Sequence, residues 1–67
     1  MNKKEHRIIT MLAKGYTQRE VSEKLIKMGY SSVSLSTIEK LIAKLRKRYK
    51  VKTTIQLFVF LAKKGLL

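Results

Sequence analysis

Short polar pairs and glycines punctuate this chain so regularly that they divide it into four segments, each about the length of a helix of three turns. Asn2/Glu5, Thr17/Glu20, Ser36/Glu39 and Thr53/Gln56 each read as a cap residue followed three positions later by Glu or Gln. In such a capping box the cap side chain accepts from a first-turn amide while the Glu or Gln reaches back to the cap's own N–H. Donors that every helix start leaves unpaired are thereby satisfied. Gly15, Gly29 and Gly65 stand where apolar periodic stretches stop, as expected of residues that close a helix in the left-handed conformation. The punctuation predicts an all-α chain, a compact four-helix bundle with helices at about 3–14, 18–28, 35–49 and 54–64.

At 67 residues the chain is a single small domain, 1–67, whose one core must be efficient. A hydrophobic content of 45% suffices for that core, so the charge does not imply disorder. There is no cysteine to form disulfides or a Cys-based zinc site, and a single histidine, His6, cannot build a multi-histidine site. No metal and no cofactor are expected. Sixteen Lys and Arg face four Glu and no Asp, a net charge of +12. Self-repulsion of that size costs stability, and it points to a polyanionic partner. Nucleic acid is the first candidate and an anionic membrane surface the second. No stretch approaches a transmembrane span, and the basic start lacks the apolar region of a signal peptide. A cytoplasmic, nucleoid-associated location is therefore expected.

Periodicity assigns the faces. Ile8, Ile9, Met11 and Leu12 gather on one side of the first helix, and Val21, Leu25 and Met28 on one side of the second. Tyr30 to Val33 reads as a connector. The third helix, starting near Ser34 or Ser36, repeats Ile38, Leu41, Ile42, Leu45 and Tyr49 at spacings of three and four. The fourth carries Ile55, Leu57, Phe58, Val59, Phe60 and Leu61, apolar almost all round, which is more than a monomer this small can bury.

Opposite the apolar stripe of the third helix stand Ser36, Glu39, Lys40, Ala43, Lys44 and Lys47, with Arg46 and Arg48 on the flanks and Lys50 and Lys52 beyond. A helix whose outward face is slim and polar near its start can enter the DNA major groove. A solvated charged face is the plain alternative, and the scarcity of balancing acid weighs against it. Tyr16, Tyr30 and Tyr49 could stack on unpaired bases. They are scattered, however, and read as packing residues. His6 has no evident role.

Taken in order, these residues resemble the LuxR-type (GerE-like) helix-turn-helix domain, a four-helix DNA-binding module of bacterial transcription regulators. Asn2, Glu5, Leu12, Ala13 and Gly15 match the family's opening helix, and Thr17, Glu20, Val21 and Leu25 its second. Val33, Ser34, Thr37 and Ile38 match the start of its recognition helix. Val51, Lys52 and Gln56 match the stretch that follows, and Gly65, Leu66 and Leu67 the close. Two departures stand out. Leu25 and Thr37 lie farther apart than is usual in the family, so residues from about Ile26 to Ser32 should lengthen the second helix and the turn. Leu35 stands where the family tends to be polar, and it could touch a thymine methyl but not hydrogen-bond a base.

The resemblance implies base contacts from Ser36, Lys40 and Lys44, with Glu39 a further candidate. Lysine can donate to guanine O6/N7 and glutamate can accept from cytosine N4. Lys40 is the leading candidate for a base contact, with a phosphate contact as its alternative, and Glu39 reads first as the capping partner of Ser36 and second as a base contact. Thr17, Gln18, Thr37, Lys47, Arg48, Lys52 and Thr54 are candidate backbone contacts, although capping also explains Thr17 and Thr37. In the family the fourth helix dimerises, which marks Val59 and Lys63 as interface candidates and implies a homodimer on an inverted repeat. The expected function is sequence-specific binding of double-stranded DNA as a bacterial transcriptional regulator, with RNA polymerase a further partner. A weaker similarity to the helix-turn-helix of sigma factor region four points the same way. The family often joins this module to a receiver or ligand-binding domain; the initiator Met1 and the full family span are expected of a stand-alone regulator. The alternative is a non-specific or architectural nucleic-acid-binding protein. A membrane-active module would present one long amphipathic helix. An enzyme would need acids, bases or nucleophiles beyond four Glu and one His, so no catalytic residue is expected.

Overall fold

The computed structural model describes all 67 residues and is all-α, with α1 at Lys3–Ala13, α2 at Gln18–Lys27, α3 at Leu35–Tyr49 and α4 at Thr54–Lys63. Three of the four expected capping boxes form. Asn2 Oδ1 accepts from the Glu5 amide at 2.8 Å, Thr17 Oγ1 from Glu20 at 3.1 Å and Thr53 Oγ1 from Gln56 at 3.1 Å. In each, the Glu or Gln side chain accepts in return from the cap's N–H.

The fourth box does not form. Ser34, not Ser36, caps α3, its Oγ accepting from the Thr37 amide at 3.2 Å and lying 3.0 Å from the Thr37 hydroxyl. The helix therefore starts at Leu35, Ser36 sits inside its first turn, and Glu39 is too far along to reach the cap. The reason is register. Capping at Ser34 ends the connector at Val33, which is buried to 2% exposure and could not stay there if two further residues were extended.

All four helices stop in the same way. The amides of Tyr16, Tyr30, Val51 and Leu66 bond back to the carbonyls of Met11, Leu25, Arg46 and Leu61, and each preceding residue bonds to a carbonyl three positions back. This Schellman pattern needs a left-handed residue at its centre. Glycine supplies it after α1, α2 and α4, but α3 uses Lys50 at φ 57°. No glycine marks that stop, and the sequence signals it only by the end of the apolar stripe at Tyr49.

Eleven buried side chains make one core: Ile8, Ile9, Val21, Leu25, Val33, Ile38, Leu41, Ile42, Leu45, Leu57 and Leu61. Four come from α3, which packs against both α2 and α4, while α1 packs against α2. Tyr30, Tyr49, Phe58 and Phe60 lie half-buried around it. Tyr49 stacks at a tilt on Phe60, 4.9 Å between ring centres, which joins the end of α3 to α4.

The extra residues divide as expected, Ile26 and Lys27 extending α2 and Met28 to Ser32 forming the turn, but one expectation for α2 fails. Met28, expected on its buried face, is half exposed. Beyond the last turn the chain bends at Gly29 and again at Ser32, φ 55°, to bring Val33 back to the core. No helix is long and apolar enough to cross a membrane.

Two substitutions test these ends. Ser34→Ala should cost about 1 kcal/mol, whereas Ser36→Ala should be neutral or stabilising by up to about half that, Ala being the better helix former. Urea denaturation of the two variants should rank them in that order. Lys50→Gly should raise the thermal midpoint, because relief of a left-handed side chain, about 1–2 kcal/mol, outweighs the added freedom of glycine in the unfolded chain, about 0.4–1 kcal/mol.

Candidate nucleic-acid interface

Burial of Ile38, Leu41, Ile42 and Leu45 determines which way the rest of α3 points. With 3.6 residues per turn, the line diametrically opposite those four runs through Ser36, Lys40, Ala43 and Lys47, all exposed. Serine and alanine keep the line slim while the two lysines supply the charge. Glu39 borders it, also exposed and free of any capping role. Leu35 stands at the near end, 40% exposed.

Lys44 departs from this group. It lies one flank over, and its Nζ meets Glu5 Oε2 of α1 at 2.8 Å. The ammonium of Lys44 and the backbone N–H of Asn2 together hold the Glu5 carboxyl below the usual carboxylate range. The structure thus turns Lys44 toward α1 instead of leaving it beside Lys40. Thr37, half-buried, is occupied with Ser34. Arg48 is exposed, its guanidinium 5.7 Å from the Tyr49 ring centre.

The turn between α3 and α4 is held by contacts that sequence reasoning missed. The Arg46 guanidinium donates to the Lys52 carbonyl, and Gln56 Oε1 accepts from the amides of both Lys52 and Thr53. The Lys52 backbone is thereby set while its side chain stays exposed, with Thr54 following as the exposed first residue of α4. A capping Gln was legible, but its second bond to Lys52 and the Arg46 contact depend on how the turn folds back.

The starts of α2 and α4 differ in charge. At α2 the Glu20 carboxylate sits against the Thr17 amide at 2.9 Å, and its pKa is lowered by the Thr17 backbone N–H and then the Thr17 hydroxyl. An anion already occupies the positive end of that helix dipole, beside Thr17 and the half-buried Gln18. At α4 the capping partner is the neutral Gln56, flanked by Lys50 and Lys52. Of the two helix starts, only the second leaves its dipole unopposed.

Beyond Glu39 every charged side chain in the sequence is basic. Val59 and Lys63 lie one turn apart on α4 and are both exposed. No group of His, Asp or Glu is placed to hold a metal ion. No family model matches the chain, no curated protein matches it, and no solved structure matches it.

The Glu5 geometry carries a pH signature. Its carboxyl is depressed in the folded state, so the contribution is fully present above the unfolded value near 4.5 and lost as pH falls through the lower folded value. Glu20 behaves in the same sense. Glu5→Gln should therefore flatten the acid limb of a stability-versus-pH curve below about pH 4.5 and leave the neutral region nearly parallel to the parent. Denaturant midpoints measured at a series of pH values would show it. A limb as steep as the parent's would mean that the Lys44 contact contributes nothing.

Proposed function

We propose that this chain binds double-stranded DNA by laying the outward line of α3 in the major groove, as a sequence-specific bacterial transcriptional regulator acting at the nucleoid. The observation that carries the proposal is the line itself. Ser36, Lys40, Ala43 and Lys47 are exposed, two small side chains alternating with two cationic ones, on a helix whose opposite side is anchored in the core. Major-groove readers need that combination, because a mobile or bulky face cannot be held against base edges.

Roles follow from position. Lys40, nearer the start of α3, is the first base reader, donating to guanine O6/N7, with Ser36 one turn before it. Glu39 can accept from a cytosine amino group on the border of the same line. Lys47, Arg48 and Lys52 neutralise phosphates, and the α4 start at Thr54 offers amides to one more. Thr17 and Gln18 are weaker phosphate ligands, since Glu20 already stands at that helix end. Lys44 joins only by exchanging Glu5 for a phosphate, so it adds affinity rather than specificity. The motif that the chain selects also tests the homodimer through Val59 and Lys63 that the resemblance implies, an inverted repeat reporting two copies and a single half-site one.

One observation favours a second reading. Basic side chains are exposed on every helix, Lys3, Lys24 and Lys63 among them, and not only along α3. A non-specific or architectural protein would be built that way, with affinity coming from counterion release alone.

Selection from a random duplex library at physiological salt separates the two. An enriched motif is expected. Retention without enrichment would replace the specific reading with the architectural one, and no retention would remove both. Given a motif, Lys40→Ala should relax preference at one base pair and cost about 1–3 kcal/mol on the preferred site. Lys47→Ala should weaken all sequences alike and reduce the salt slope of log K by about 1. Fluorescence anisotropy across a salt series would measure both.

A further inference from the structure

Ile55 is 78% exposed and Val59, one turn later, 49% exposed, the two largest apolar breaches in the surface of α4. Ala62 continues the same line. On one flank of this ridge lies a groove floored by Val51 and Phe60 and rimmed by Lys50, Lys52 and Lys63. The other flank is wholly apolar and runs to Leu12 of α1 and to Leu67. An apolar strip with one lysine-lined edge is thus left open on a domain with few side chains to spare. Contiguous exposed apolar surface of this kind marks an interaction site.

Charge decides what can cover it. Nucleic acid would answer the lysines but leave Ile55, Val59 and the apolar flank against water or sugar-phosphate. A second copy would answer the apolar strip but not the lysines. A twofold contact places the same patch on itself, and neither flank of the ridge carries an acidic side chain, so Lys50, Lys52 and Lys63 would find no carboxylate within it. Like charges brought together at an interface oppose association. The occupant that satisfies both features is an amphipathic helix with an apolar seam and carboxylates beside it, which is how an apolar helix face is read by a groove. We infer that the Ile55–Val59 face of α4 is a docking surface for an acidic amphipathic helix of a different protein. Ser36, Lys40, Ala43 and Lys47 line neither flank of this face, whereas Lys52 belongs to both surfaces, so a protein partner bound here would compete with DNA for that one phosphate contact.

The probe is a synthetic peptide with Leu at positions i, i+3, i+4 and i+7 and Glu on its polar face, together with a counterpart carrying Lys in place of Glu. Amide spectra of the isotopically labelled chain at physiological salt should shift at Ile55, Val59, Phe60 and Lys63 with the acidic peptide and not with the basic one. Ile55→Lys, at a site 78% exposed, should weaken the acidic peptide about tenfold or more while leaving helical circular dichroism unchanged. Sedimentation of the chain alone should give a monomer.

Four results would overturn the inference. The acidic peptide could produce no shift. It could shift the α3 lysines equally and survive Ile55→Lys, which would reduce the attraction to net charge. The basic peptide could bind as well as the acidic one. The chain could dimerise in a way that Ile55→Lys abolishes, making a second copy the occupant. Failure of the parent to retain duplex DNA would remove the proposed function and leave this inference standing.

Discussion

Packing of the α3 stripe against its two neighbours is the contact on which the remaining architecture depends. Ile38, Leu41, Ile42 and Leu45 supply more of the buried core than any other element, and only α3 touches both α2 and α4 extensively. Removing one such side chain from a core this size would consume much of the few kcal/mol that a domain of this length retains. The same burial has a geometric consequence. A helix held along one side by four anchors presents the opposite side at a set angle, so the exposure of Ser36, Lys40, Ala43 and Lys47 follows from the core. Stability and the candidate interface are two sides of one helix.

Electrostatics works in the opposite direction. A net charge of +12 on 67 residues opposes compaction, and the chain has only four carboxylates with which to answer it. Their placement is economical. Glu5 caps α1 and also pairs with Lys44 across to α3, and Glu20 caps α2. Glu23 and Glu39 remain exposed without a hydrogen-bond partner of that kind. The pair between Lys44 and Glu5 is partly exposed and contributes modestly to stability. Its larger effect is directional, since it draws one lysine away from the α3 line and ties the start of α1 to the middle of α3. The α3–α4 turn has no acid to use and relies on neutral acceptors instead, the Gln56 side chain for two amides and the Lys52 carbonyl for the Arg46 guanidinium. That choice leaves the positive end of α4 unopposed.

Much of the secondary structure was legible because its causes are local. A Thr or Asn three residues before Glu or Gln makes its bonds within one turn, so Asn2, Thr17 and Thr53 could be read directly. Gly15, Gly29 and Gly65 likewise announce a backbone conformation rather than a contact. Ser36 shows the limit of that reading. Ser34 and Ser36 both offer a plausible register, and the choice between them was made by Val33, whose place in the core is a long-range matter. Met28 misled for a related reason. Its spacing fits the apolar face of α2, but the helix ends before that turn completes, and the following residues fold away. Lys50 gave no signal because any side chain can be forced into the left-handed region when the elements on both sides over-determine it.

By itself the sequence determined the all-α class, the number of helices, most of their boundaries and the identity of the α3 stripe. Each of these rests on interactions between residues within about a turn of one another, which periodicity and caps record. It also showed that α4 carries more apolar surface than a monomer could bury. Only the tertiary structure decided which of those apolar residues stay outside: Leu57 and Leu61 reach the core, while Ile55 and Val59 do not. It likewise decided that Lys44 turns to Glu5 and Lys40 does not, and that Arg46 closes the α3–α4 turn. Lys44 and Glu5 stand 39 positions apart. No local pattern encodes such a meeting, which exists only once α1 and α3 have been packed around the same core.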